Sequence, residues 1–197
     1  MAAWGNRSSS PLLKRLSESR SSSNPIKSVT VLPMKTWSSS NEDALLGMLD
    51  MLEEVNCSGK ATYSLSKWGE SLGKEGCAVK SLKFGTERLS SSGLSAVLEA
   101  MPRPNESVVL LDLSNKGLKS VDLALLKAEF VALGRLDCSR NGGIKLARSG
   151  AQFEFLDLRS VTMAGGVRVW FICLLLLRLG SVPHYSLPLP SVCLTNL

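Results

Sequence analysis

The residues able to do chemistry in this chain are five cysteines, one histidine and a set of carboxylates, and their spacing decides how far each can go. Cys57, Cys77, Cys138, Cys173 and Cys193 are odd in number, widely separated and contain no CxxC pair. With His184 as the single histidine, they do not form the ligand groups of a structural zinc site. A thiol nucleophile needs a base beside it, and no histidine accompanies Cys57, Cys77, Cys138 or Cys173. The stretch GESLGKE, from Gly69 to Glu75, approaches a phosphate-binding loop. It has three residues between its glycines where four are needed, and Glu75 stands where Ser or Thr would hold magnesium. Neither GxGxxG nor HExxH occurs. Paired acids do acid–base work only in a pocket that shifts their pKa values, and nothing in the order of residues supplies one. The expectation is a protein that is not an enzyme, with no cofactor and no metal.

Composition agrees with a folded protein. The chain has 197 residues, 44% apolar and 20% charged, which is ordinary for a globular domain. Its formal charge of +6 is concentrated towards the ends: Arg7, Lys14, Arg15 and Arg20 face Glu18 alone in the first 25 residues, and no acid follows Asp157. A nucleic-acid surface gathers such charge on one folded face with aromatic platforms between, a pattern absent here. Unpaired, widely spaced cysteines without an apolar leader indicate a reduced, intracellular protein and a cytoplasmic setting.

The elements that must position any site emerge from self-similarity. In the pattern LxxLxLxxNxL, a short strand turns positions 4 and 6 inward and the Asn at position 9 bonds the backbone of the turn that follows. Leu133, Leu136, Cys138 and Asn141 match positions 1, 4, 6 and 9. Val108, Leu111, Leu113 and Leu118 match positions 1, 4, 6 and 11, with Asn115 one place early. Val79, Leu82, Phe84 and Leu89 fit the same frame 29 residues before Leu111. Weaker strands centre on Val55 and Val29, and FEFLDLRS, with Phe153, Leu156 and Leu158 inward, reads as a last one. Position 9 is otherwise Met34, Lys60, Glu87 and Lys116, so those turns need another means of satisfaction.

Helices fall between the strands. NEDALLGMLDMLEEV puts Leu45, Leu46, Leu49 and Leu52 on one face, with Asn41 as cap and Glu42 and Asp43 in the first turn. Leu94, Val97 and Leu98 share a face of a helix that Pro102 and Pro104 end. In VDLALLKAEFVAL, Leu123, Leu126 and Phe130 form the buried stripe, while Lys127 and Glu129 face water.

LDLSNKGL, from Leu111, and LDCSRNGGI, from Leu136, together with the 29-residue spacing, resemble the leucine-rich-repeat superfamily. The units from Val79 to Ile144 are similar to the ribonuclease-inhibitor-like subtype. The resemblance extends loosely over residues 26–160. It implies an α/β fold, a short and irregular solenoid with a curved parallel sheet and helices on the convex side. It also implies a non-enzymatic module that binds an unidentified protein on the concave strand face. In that register position 5 of the six strands is Thr30, Asn56, Lys83, Asp112, Asp137 and Asp157. The expected partner surface is Asp112, Ser114, Asp137, Ser139, Asp157 and Arg159. The three carboxylates make an acidic strip, either for a basic partner segment or compensated internally by Arg135, Arg140 and Arg159, and otherwise ordinary solvated repeat residues.

The ends differ from the middle. Residues 1–25 read as a disordered, basic, Ser-rich tail, a composition shared with organelle transit peptides. Residues 161–197 are apolar and out of register: a packed cap, a marginal membrane segment or an altered end. Val169 to Leu177 gives nine apolar residues between Arg168 and Arg178, against about 20 for a spanning helix. The alternative function is therefore a membrane- or organelle-associated protein, mitochondrial among the options, contacting the bilayer through residues 167–182.

Overall fold

A computed structural model describes residues 25–31, 38–57, 64–85, 89–141, 145–146 and 153–159, together with Glu18 and Ser23. The expectations for residues 1–24, apart from those two, for residues 161–197, and for Met34, Lys60 and Glu87 lie outside the described residues.

Six three-residue strands form one parallel sheet: β1 (Ser28–Thr30), β2 (Glu54–Asn56), β3 (Ser81–Lys83), β4 (Leu110–Asp112), β6 (Arg135–Asp137) and β8 (Phe155–Asp157). They lie side by side in chain order, without a reversal. Two-residue strands β5 (Ser120–Val121) and β7 (Lys145–Leu146) pair in a separate parallel ribbon. The described helices are α1 (Ser39–Leu46), α2 (Leu65–Leu72), α3 (Ser90–Glu99) and α4 (Leu123–Glu129). The chain is thus α/β, a parallel six-stranded sheet alternating with helices.

Register follows the sequence frame. Val29, Val55, Leu82, Leu111, Leu136 and Leu156 are successive partners across the sheet. Because side chains alternate in a strand, this row points to one face. Val55, Leu82, Leu111 and Leu136 are buried there with Leu45, Trp68, Val97 and Leu126 from the four helices. The entrances to β2, β3, β4 and β6 are tied the same way, while into β8 the Gly134 carbonyl accepts from Phe155 N–H alone among the described residues. The Lys27 carbonyl accepts from Glu53 and Glu54 N–H, the Glu53 carbonyl from Lys80 and Ser81, and the Lys80 carbonyl from Val109 and Leu110. The Val109 carbonyl then accepts from Gly134 and Arg135. One carbonyl per unit therefore sets the register of the next.

The first helix departs from expectation in two ways. Its cap is Ser38, whose hydroxyl accepts from Asn41 N–H at 3.3 Å, so Asn41 lies inside the helix rather than before it. The helix also stops at Leu46, and Leu49 and Leu52 are buried from the turns that follow, because Glu54–Asn56 is already strand. Glu42 is not a solvated first-turn carboxylate but buried, accepting from Trp68 Nε1 at 3.0 Å and Ser64 N–H at 2.9 Å. Trp68 in turn meets Phe84 edge-on at 5.6 Å. A buried carboxylate without such donors would be costly, so it holds α1 to α2 specifically.

In α4, Leu123, Leu126 and Phe130 are buried as the periodicity predicts, and Asp122 caps the helix by accepting from Ala124 and Leu125 N–H. Lys127 and Glu129 are half-buried. Lys127 does not simply face water: its ammonium donates to the Leu133 carbonyl and lies over the Phe153 ring. The lysine stem bridges the helix end to the next strand.

Two repeat turns, at Asn115–Lys116 and Arg140–Asn141, lie among the described residues. Asn115 has φ 55° and Arg140 φ 58°, so position 8 is left-handed in both units. Asn tolerates that conformation better than most residues, which suits Asn115 to position 8. Asn141 works backwards as well as locally. Its Oδ1 accepts from Lys116 and Leu118 N–H at 2.8 and 3.1 Å. Its Nδ2 donates to the carbonyls of Leu113, Cys138 and Ser139. Among the described residues, the bonds therefore reach back to the preceding turn, a direction the pattern did not suggest.

Lys116 is 1% exposed, although no buried side-chain nitrogen or oxygen among the described residues is without a hydrogen-bond partner. Burial holds its pKa below the usual lysine value, with Asp112, Cys57 and Asp137 opposing that shift and Lys83 adding to it. A base whose pKa falls on folding destabilises the fold at low pH, and the penalty fades as pH rises from its folded pKa towards the unfolded value of 10.5. Lys116→Met keeps the stem volume and removes the charge. It is expected to raise stability by about 1–2 kcal/mol near neutral pH, in urea titrations, with the gain shrinking at alkaline pH. An unchanged or lower midpoint at neutral pH would show the ammonium is well accommodated.

Candidate functional site: the open strand face

Strand residues either side of the buried row point the other way, onto a face that no described helix covers. Two rows result. One is Ser28, Glu54, Ser81, Leu110, Arg135 and Phe155; the other is Thr30, Asn56, Lys83, Asp112, Asp137 and Asp157. Neighbouring strands are about 4.8 Å apart, so three consecutive aspartates would repel strongly if bare. The structure shows that they are not bare.

Asp112 is held by Lys83 from the adjacent strand, Nζ to Oδ2 2.6 Å. Its Oδ1 accepts from Ser114 N–H at 2.9 Å and Ser114 Oγ at 2.6 Å. Burial raises its pKa, but the Lys83 and Ser114 bonds outweigh that and hold it below the usual carboxylate value. Asp157 is buried, at 6% exposure, beneath its own Arg159, whose Nε and Nη2 donate to Oδ2 at 2.9 and 2.7 Å. There too burial raises the pKa and the arginine, with its backbone N–H, lowers it further. Asp137 is half-buried and accepts from Ser139 N–H at 2.8 Å. No ion pair is formed by Asp137 among the described residues.

The same local device therefore occurs three times. Asp112, Asp137 and Asp157 each accept the N–H two residues on, from Ser114, Ser139 and Arg159. An aspartate that closes its own turn in this way exits the strand cleanly, which is reason enough for Asp at the position. D-x-S spacing marks Asp112 and Asp137 but not Asp157, which is followed by Leu158 and Arg159, and the spacing alone does not separate a turn-closing aspartate from one that faces a partner. Of the six expected surface residues, Asp112, Ser114 and Asp137 are half-buried and Arg159 is exposed, while Ser139 and Asp157 are buried. Ser139 N–H serves Asp137 and its carbonyl accepts from Asn115 N–H at 2.9 Å, so the residue belongs to the turn and not to the surface.

Internal compensation comes from Lys83 and Arg159. Arg135 does something else: its guanidinium lies 5.5 Å from the centroid of Phe155, which is 46% exposed. With half-buried Leu110 in the same row, they form an apolar and cationic strip beside the aspartates that the motif frame did not single out. Alternation alone would have placed all three on that face. A mixed surface, not an acidic one, is the outcome.

Chemical reactivity finds little support in the remaining groups. Cys57 and Cys138 are buried with their thiols pushed up to about 12, first by burial and then by nearby carboxylates. Gly69, Ser71 and Gly73 have the Gly-x-Ser-x-Gly spacing of a hydrolase nucleophile turn, but Ser71 is buried within α2 rather than raised at a strand-to-helix elbow. Among the described residues no group of His, Cys, Asp and Glu could hold a metal ion. No described helix is long and apolar enough to cross a membrane, and residues 167–182 lie outside the described region. No protein-family profile, curated protein or solved structure matches the chain.

Proposed function

We propose that this chain is a short leucine-rich-repeat-like solenoid and a non-enzymatic interaction module that docks another protein on its open strand face. The observation that carries the reading is the single register of six parallel strands, with one row buried against helices and the two flanking rows covered by no described helix. Strict chain order also favours it over a doubly wound sheet, where strand order reverses and helices cover both faces. A helix needs about 10 Å of width and a strand about 4.8 Å, so stacking both in one unit bends the sheet with its strands inside. That makes the open face concave. The unit from Val79, with the ten-residue helix α3, fits the ribonuclease-inhibitor-like subtype; the next unit, with β5 and the seven-residue α4, is more compact.

The partner surface is placed at Leu110, Arg135, Asp137 and Phe155, since Asp112 and Asp157 are already neutralised by Lys83 and Arg159. Replacing Arg135, Asp137 and Phe155 together with alanine in the full chain tests this by affinity capture and mass spectrometry. The triple variant is expected to lose at least about tenfold of each specifically retained protein, a change worth about 1.4 kcal/mol, and Leu125→Ala on α4 to lose none. Retention unaltered by the triple variant, with its unfolding midpoint also unaltered, contradicts the assignment.

A further inference from the structure

We draw no further inference here: the strongest candidate, the surface patch on the last strands of the open face where Arg135 stacks on Phe155 beside Asp137, carries charges of both signs that select no one occupant, and nothing in the structure shows what covers it.

Discussion

Asn141→Ala is expected to cost about 3–5 kcal/mol, among the largest effects of any single polar substitution in this chain. The side chain is fully buried and makes five hydrogen bonds with described residues, two accepted from Lys116 and Leu118 and three donated to Leu113, Cys138 and Ser139. Each buried backbone group left without a partner costs about 1–3 kcal/mol, and water admitted to the cavity recovers only part of that. Lys116 sits in the equivalent slot one unit earlier and offers no such set of bonds, so among the described residues Asn141 alone supplies the side-chain ties at the Lys116 and Leu118 amides. Hydrogen exchange should accordingly quicken most at the Lys116 and Leu118 amides. A loss below about 1 kcal/mol, or uniform exchange across the sheet, would mean that the asparagine is dispensable.

Gly69→Ala is the second. On an exposed helix this exchange stabilises by about 1 kcal/mol, because alanine has the better helix propensity. Here the added Cβ would stand 2.1 Å from the Val97 carbonyl oxygen and 2.9 Å from Ala100 Cβ, where α2 crosses α3. A backbone oxygen cannot rotate aside as a side chain can, so the helices must separate. Forcing methyl-sized bulk into a packed contact costs about 1–3 kcal/mol, and a rigid neighbour places this case at the upper end. A net loss of about 2 kcal/mol in urea or thermal unfolding is expected. A variant as stable as the parent would show that α2 and α3 are not so closely packed.

These two positions mark the limit of what the order of residues reveals. The strand rows were legible because alternation and spacing are local: Val29, Val55, Leu82, Leu111, Leu136 and Leu156 were placed by counting, and they are partners across the sheet. The helical stripes of α3 and α4 were legible for the same reason, down to Leu126 and Phe130, whereas α1 ends at Leu46 before its expected stripe does and α2 was not read from the sequence at all. What counting could not supply was contact between distant units. The direction of the Asn141 bonds, the close approach at Gly69, and the burial of Glu42 beneath Trp68 all join residues more than 20 apart.

Asn105 belongs with them. It reads as part of a proline-rich return, yet it is buried, donates to the Leu72 carbonyl at 2.7 Å and accepts from the N–H groups of Ser107 and Val108. It thereby ties the end of α2 to the approach of β4. The aspartates show a different limit. Their row was legible, but their use was not, because an Asp facing a partner and an Asp closing its own turn have the same place in the repeat. Only the bonds to Ser114, Ser139 and Arg159 separate them.

Docking on the open strand face is tested most directly by site-specific photo-crosslinking in the full chain. A benzophenone side chain at Ser81, Leu110 or Phe155 reports that face, and one at Leu125 or Val131, both exposed around α4, reports another surface. The proposed function predicts the same protein adduct from the three strand positions and none from the two controls. Adducts from Leu125 or Val131 alone would contradict it.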